Sequence, residues 1–351
     1  MEHVTLGTSG LHVSVAALGT MTFGAEADEA ESHRMLDRFV EAGGSLVDTA
    51  DVYTSGLSEE IIGRWIVRRG GTEGLVVATK GRFAMGPGPN DRGSSRHHLQ
   101  RAVEASLRRL CVDAIDLYQL HAWDPATPLE ETLGALDDMV RAGRIRYIGV
   151  SNFTGWQLQQ AILVTGYEGL APVVSLQPQY NLLAREIEWE ILPQCLDEGI
   201  AVLPWSPLGG GWLTGKYQRD EMPSGTTRLG ENPSRGVEGY AGRNVERTWA
   251  IVDAVHEIAI AHAVPAGQVA INWLAGRPGV TSVILGARTE AQLAENLGAW
   301  DWELAGDERR RLDEVSAPGI PTYPYGFLEK YAGYAVWEEL TTRVGPPAIG
   351  D

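Results

Sequence analysis

LVVATK (75–80), SRHHLQRAVEASLRRL (95–110) and IDLYQLH (115–121) decide the fold between them. The outer two are short runs dominated by Val, Leu, Ile and Ala, as expected of parallel strands covered on both faces. The middle one is an amphipathic helical stretch. Strand, helix and strand in that order make one βαβ unit. The same rhythm extends in both directions. Further β-type runs lie at 15–20 (VAALGT), 45–49 (SLVDT), 145–150 (IRYIGV), 173–177 (VVSLQ), 200–205 (IAVLPW) and 281–285 (TSVIL), which makes eight. Helices are predicted near 58–69, 128–142, 154–165, 185–198, 244–263, 266–276, 289–298 and 306–316. Another opens at the D-x-x-E capping pattern of Asp28 and Glu31 and stops at Gly43-Gly44. Eight alternating units predict an α/β protein of the closed (β/α)8 TIM-barrel type, with an open doubly wound sheet as the alternative.

Two segments fall outside the rhythm. Residues 4–14 (VTLGTSGLHVS) place a Gly-containing turn between two short β-type runs and predict a hairpin ahead of the barrel. Residues 206–243 are rich in Gly, Pro, Ser and Arg and show no period. They follow the seventh strand, so this long loop belongs on the C-terminal face, where barrel active sites lie. The expectation is one barrel domain over 1–351, ending in a tail at 319–351.

The composition narrows the function. The 46 acidic and 29 basic side chains leave a net charge of -17, a surface that repels nucleic acid and anionic lipid. No apolar run reaches the ~20 residues that span a bilayer, and the N-terminus has no secretory pattern. Cys111 and Cys195 are far apart and outside any CxxC spacing, so a disulfide framework and a zinc site are not expected. They read as reduced thiols of a cytoplasmic protein. No metal is expected either, because His97-His98 are adjacent on a helix and His256 and His262 miss the i, i+4 spacing of helical ligand pairs.

Polar residues interrupt the apolar runs where strands should enter the barrel mouth. The second run ends in Asp48 with Tyr53 shortly after, the third in Lys80 and the fourth in His121. Alone, each would read as a loop or cap partner; on three successive strand ends they suggest proton delivery. A phenol with a pKa of about 10 is a weak acid at neutral pH. A neighbouring Lys ammonium lowers that value, and Asp48 can hold the ammonium charged. Tyr53 could then protonate a carbonyl oxygen that His121 orients.

At these residues the sequence resembles the aldo-keto reductases, in the bacterial and potassium-channel β-subunit-like branch. The resemblance runs from about residue 4 to 318, through LGTMTFG (18–24), DTADVYTSGLSEEIIGRW (48–65), VVATK (76–80), IDLYQLHAWD (115–124), IRYIGVSNF (145–153), QPQYNLL (177–183), PWSPLGGGWLTGKY (204–217) and GARTEAQLAENL (286–297). It implies a barrel plugged by an N-terminal hairpin, with Tyr53 as general acid, Lys80 and Asp48 as its tuning partners and His121 as the orienting group. It also implies a nicotinamide cofactor, usually NADPH, bound without a Rossmann domain. In keeping with that, GPGPNDRG (86–93) lacks the spacing of a dinucleotide fingerprint.

The resemblance assigns Ser151, Asn152 and Gln177 to the nicotinamide carboxamide, and the backbone of Gly19, Thr20 and Met21 to the side of the ring. Trp205 stands where the family often has a stacking Tyr. Ser206, Pro207, Leu208, Gly209 and Gly211 resemble its pyrophosphate loop. Gly286 and Arg288 open a helix suited to an anion, with Gln292, Glu295 and Asn296 expected at the adenosine and Arg288 at the 2'-phosphate. Phe23, Trp123 and Trp212 follow strand ends and are expected to wall the substrate pocket. The implied reaction reduces an aldehyde or ketone, a small-molecule carbonyl, to an alcohol. Two other readings stand beside it: a reductase of a nucleotide-linked deoxysugar, with Arg219, Arg228 or Arg235 on its diphosphate, and a non-catalytic NADP-binding redox sensor. No nucleic acid or membrane partner is expected, and a homo-oligomer is compatible with the pattern.

Overall fold

The computed structural model describes residues 1–332; the rest of the expected tail, 333–351, lies outside the described residues. A hairpin of β1 (His3–Thr5) and β2 (His12–Ser14) comes first, paired antiparallel. The barrel strands are β3 (Ala16–Gly19), β4 (Leu46–Asp48), β5 (Val76–Gly81), β6 (Ile115–Leu120), β7 (Ile145–Ser151), β8 (Val173–Gln177), β9 (Ala201–Val202) and β10 (Val283–Gly286). All eight are parallel and lie side by side in the order β10-β3-β4-β5-β6-β7-β8-β9. The two ends of that order meet. Val202 bridges Val280, the Thr281 N–H donates to the Val202 carbonyl at 2.9 Å, and the Ile284 N–H to the Pro204 carbonyl at 3.0 Å. The sheet therefore closes, and the open-sheet alternative falls.

Helices α1 (Glu29–Glu41), α2 (Leu57–Arg69), α3 (Arg96–Leu110), α4 (Leu129–Arg141), α5 (Gly155–Glu168) and α6 (Ile191–Glu198) fill the first crossovers. As the capping pattern predicts, the Asp28 carboxylate accepts from the Glu31 N–H at 2.8 Å. The long loop carries short turns, α7 (Arg228–Glu231) and α8 (Tyr240–Arg243), and α9 (Glu246–His262), α10 (Ala266–Ala275), α11 (Glu290–Leu297), α12 (Gly306–Ser316) and α13 (Phe327–Ala332) follow. Among the described residues no single helix is long and apolar enough to cross a membrane.

Period-two alternation splits the apolar residues into two cores. Ala17, Leu46, Val76, Ala78, Leu117, Val174, Ala201, Leu203 and Ile284 fill the barrel interior, and Leu6 and Val13 of the hairpin plug its lower end. The plug is tied by reciprocal 2.9 Å bonds between the Ser14 and Ser45 hydroxyls and backbone N–H groups. The larger core lies between strands and helices, where each fully buried Leu or Ile contributes about 1.5–3 kcal/mol.

Two expectations need correction. The 185–198 helix is broken into a 3-10 turn, Glu186–Glu188, and α6, because Pro193 cannot donate back into a continuous helix. The run 200–205 gives only a two-residue strand, since Pro204 has no N–H for the ladder. Segment 206–243, a long loop as expected, folds over an aromatic cluster in which Trp212 meets Tyr217, Tyr240 and Trp249 at ring-centroid distances of 5.2, 5.7 and 5.5 Å.

Helices α2 and α3 cross at Gly63, where a Cβ would sit 2.0 Å from the Arg109 carbonyl oxygen. Gly63→Ala should lower stability by about 1–3 kcal/mol through overpacking. Chemical denaturation checks this; an unmoved midpoint would mean that the two helices separate freely.

Candidate active site

Leu46 and Asp48, Ala78 and Lys80, and Leu117, Gln119 and His121 keep one parity along β4, β5 and β6. The residues that fill the barrel are thus followed, one pleat higher, by polar groups on the same face. This places Asp48, Lys80, Gln119 and His121 together at the top of the interior. Lys80 is fully buried, and its Nζ donates to Asp48 Oδ2 at 2.6 Å, to the Thr49 carbonyl at 2.8 Å and to the Tyr53 hydroxyl at 3.2 Å. Asp48 Oδ1 accepts from the Gln119 and Gln177 amides at 3.0 and 2.9 Å. Gln119 also accepts from Gln177 at 3.1 Å. Its sequence signal is that of a polar residue of inward parity between Leu117 and His121.

Tyr53 opens a 3-10 turn whose next two residues, Thr54 and Ser55, have φ of 47° and 54°. Left-handed backbone at two non-glycine residues is costly, and the turn is held by the Thr54 hydroxyl, which donates to the Phe23 carbonyl at 3.0 Å. Phe23 therefore acts here through its backbone, while its side chain lies fully buried in the outer core. It does not wall the mouth. Nor does Trp212, which is buried in the aromatic cluster beneath the loop, its indole N–H on the Glu238 carbonyl at 3.1 Å.

Burial raises the Tyr53 hydroxyl above its ordinary pKa, and the pull of Lys80 in the other direction only moderates this. Tyr53 is thus a protonated phenol, not the phenol of lowered pKa that the sequence suggested. For Lys80, burial favours the neutral amine, but Asp48 and the Tyr53 oxygen override it and the ammonium is raised. His121 is pushed down to about 2 by burial, then by Lys80 and Arg82, so the imidazole is neutral. Its Nδ1 is buried without a partner, and its ring lies edge-on to Tyr53 at 5.9 Å. Phe83, absent from the expected set, packs against His121 at a ring-centroid distance of 4.6 Å.

One hydrogen-bonded rim joins the remaining expected residues. Trp205 Nε1 donates to Asn152 Oδ1 at 3.0 Å, and Asn152 Nδ2 donates to the Ser151 hydroxyl and the His121 carbonyl, each at 3.0 Å. The Ser151 hydroxyl donates to the Gln177 carbonyl at 2.8 Å. Thr20 donates through both N–H and hydroxyl to the Asp48 carbonyl at 3.0 Å, with Met21 exposed beside it. A Cβ at Gly19 would lie 2.7 Å from Ile284, so only glycine fits there. Trp123 is half-buried and packs edge-on against Phe153 and the exposed Trp156 at 5.3 and 5.2 Å.

At the edge of the mouth, Gly209, Gly210 and Gly211 all have positive φ. Pro207 and Leu208 precede them, and the Ser206 hydroxyl donates to Glu238 at 2.5 Å. A Cβ on Gly211 would meet the Lys216 ammonium at 2.4 Å. Partial burial, then Arg288 and Arg228, push that ammonium below its usual range, so three cations converge on the glycine turn. Lys216 was missed in the sequence because only the folded loop returns it to the turn.

Arg288, expected at the 2'-phosphate, already has partners. Glu231 holds both terminal nitrogens at 3.1 Å, the Thr226 carbonyl accepts at 2.8 Å, and Glu26 lies 3.6 Å away. The N-terminus of α11 is also occupied, its Glu290 N–H donating to the Glu31 carboxylate at 2.5 Å. Gln292 folds back to accept from the Arg288 N–H at 3.0 Å. Asn296 is buried beside Gly267, Glu295 is exposed on the same helix, and Gly286 opens onto free space. Arg219 points elsewhere, paired with Glu246 and Asp253 at 2.7 and 3.1 Å.

The Aldo/keto reductase family model matches residues 17–317. The chain is 36% identical over 335 residues to the uncharacterized oxidoreductase YrpG of Bacillus subtilis, covering 92% of this chain and 98% of that protein. It is 37% identical over 304 residues to a probable voltage-gated potassium channel subunit beta of Arabidopsis thaliana, covering 86% and 92%. With the versiconal hemiacetal acetate reductase of Aspergillus parasiticus the identity is 33% over 343 residues, covering 91% and 98%.

Removing one partner of a buried ion pair strands the other charge, at a cost of about 3–5 kcal/mol. Lys80→Met should lose about that much, and Lys80→Met with Asp48→Asn should recover a good part of it. A stranded Asp48 would take up a proton in the folded state, so the Lys80→Met deficit should shrink as the pH falls from 8 to 5. Thermal melting at several pH values reads both; a pH-independent deficit and no recovery in the double variant would contradict the pairing.

Proposed function

The chain belongs to the aldo/keto reductase family of oxidoreductases, and from that premise we propose that it is an NADPH-dependent enzyme that reduces an aldehyde or ketone to an alcohol. The observation that carries this reading is the junction at Lys80 Nζ, which holds Asp48 at 2.6 Å and the Tyr53 hydroxyl at 3.2 Å beside the neutral ring of His121. Four side chains from three strand ends and one turn thus face a single position at the mouth.

The residues present suit a nicotinamide dinucleotide. Ser151, Asn152 and Gln177 offer the donors and acceptors that a carboxamide requires, the Trp205 indole offers a face for stacking, and the positive-φ glycines open a backbone cradle. Lys216, Arg228 and Arg288 supply the positive charge for phosphates, and the buried Arg228 Nε has no partner. When bound, the reduced nicotinamide supplies hydride to the carbonyl carbon. The protein's own part is proton management. Tyr53 holds a proton at its hydroxyl, the neutral His121 offers a hydrogen bond to the carbonyl oxygen, and Lys80 stabilises negative charge on the phenol oxygen once the proton has left. Asp48, with Gln119 and Gln177 on its second oxygen, keeps Lys80 charged and aimed.

Phe83, Trp123 and the exposed Trp156 make the approach aromatic, which suits an apolar, ring-bearing carbonyl substrate. The protein is read as cytoplasmic and as acting on small molecules. A second reading, a redox-sensing subunit, is supported by the similarity to a plant protein named as a probable channel subunit. NADPH consumption against a panel of aldehydes and ketones separates the two: tight cofactor binding with no turnover favours the sensor.

Tyr53→Phe should lower kcat by about 10²–10⁴ while leaving NADPH affinity in place, since it removes the acid and no cofactor contact. Near-normal turnover in that variant would defeat the assignment. Arg288→Ala should weaken NADPH binding by roughly tenfold and NADH hardly at all, the loss of one charge-assisted contact to phosphate. Glu231→Gln should act in the opposite direction by freeing Arg288. Equilibrium titrations decide this, and equal losses for both cofactors would place the 2'-phosphate elsewhere.

A further inference from the structure

Behind the catalytic group, on the helix side of β5, lies a second polar cluster that the proposed reaction does not use. Asp51 stands between β4 and Tyr53, its N–H donating to the Lys80 carbonyl at 3.0 Å. Its side chain is 1% exposed, and both carboxyl oxygens lack a hydrogen-bond partner. The Tyr118 hydroxyl, also fully buried and unpartnered, faces the same spot. A Cβ on Gly81 would lie 2.2 Å from that hydroxyl and 3.2 Å from Asp51 Oδ2, so the glycine is what lets the two approach.

Charged groups face Asp51 from several neighbours. From α2 comes Glu59, fully buried and fixed by the Thr79 hydroxyl at 2.5 Å and by Arg109 of α3 at 2.6 Å. Lys80 lies across β5 on its interior face, and from β6 comes the phenol of Tyr118. Arg109 is thus the counterion of Glu59, and Lys80 that of Asp48, which leaves Asp51 a third carboxyl among two cations.

Resting on the carbonyl-reductase reading, we propose that Asp51 is a positioning residue that sets the acid strength of Tyr53 from behind the strand. As Asp51 gains or loses its charge, the field on the Lys80–Tyr53 pair changes while the pair's geometry is kept. A negative Asp51 opposes ionisation of Tyr53, and a neutral one permits it. Burial and then Glu59 raise the Asp51 carboxyl to about 7, against the opposing pull of Arg109 and Lys80. The switch therefore works in the neutral range.

For carbonyl reduction, the wild-type kcat/KM should bend near pH 7 and end about threefold to tenfold lower on the alkaline side, one pKa unit being about tenfold in the acid's equilibrium. Asp51→Asn should remove that bend. Should this variant fold poorly, Glu59→Gln gives a second handle: without its negative neighbour Asp51 ionises more readily, and the bend moves to lower pH. Thermal melting of the cofactor-free protein gives a readout independent of turnover. A carboxyl raised in the folded state stabilises fully below the unfolded value near 3.8, and that contribution is lost as the pH rises through about 7. The melting temperature of Asp51→Asn relative to wild type should therefore climb between pH 5 and pH 8. A bend retained in Asp51→Asn, or a melting difference constant across that range, overturns the proposal. If the wild type reduces no carbonyl at all, the reductase reading falls and takes this role with it; a working enzyme with an unchanged profile removes only Asp51.

Discussion

A primary ammonium with no solvent exposure is the constraint from which the rest of the site follows. Lys80 has three donors and spends them on Asp48, on the Thr49 carbonyl and on Tyr53. Burying that charge is costly unless a carboxylate lies close and the carboxylate's other oxygen is also satisfied. Two amides, Gln119 and Gln177, meet that second demand. Because these groups come from β4, β5, β6 and β8, those strands must be curled together and in register before the ammonium is compensated. The polar centre and the strand order thus specify each other.

The same strand divides two kinds of chemistry. Along β5, Lys80 faces the interior, while Thr79 and Gly81 face the helices. Inward, both oxygens of Asp48 and the Lys80 ammonium are paired; outward, the Asp51 carboxyl and the Tyr118 hydroxyl are not. Buried polar groups without partners are uncommon in folded proteins and point to a use. One residue of offset along a pleated strand is enough to place a stable ion pair and a titrating carboxyl on opposite faces, with the peptide backbone between them.

How much of this could be read beforehand follows from the range of the interactions. Most strand and helix limits were legible because they rest on local periodicity, with 185–198 and 200–205 cut short at Pro193 and Pro204, and Asp48, Lys80 and His121 because each breaks an apolar run at its end. Tyr53 was legible by its distance from Asp48, but the direction of its pKa was not, since burial depends on everything packed around it. Arg288 reads as a free cation when only α11 is in view; Glu231, 57 residues earlier, takes it up once the loop has folded. Trp212 reads as a pocket wall for the same reason, until Tyr240 and Trp249 enclose it. What the sequence withheld was pairing across long separations.

The acidic surface gives that pairing its meaning. In a chain of net charge -17, Lys216, Arg228, Arg235 and Arg288 gather at one edge of the mouth, where Glu26, Glu231 and Glu238 answer them. An anion that enters there meets two guanidiniums that already hold carboxylates, Arg235 with Glu26 and Arg288 with Glu231. Its binding energy is then a difference between two sets of ion pairs, small in net terms but sensitive to each partner. These acids belong to different parts of the chain, Glu26 to the link before α1 and Glu231 to α7 in the long loop. Arg288 faces both of them, so one guanidinium ties the link before α1 to the long loop.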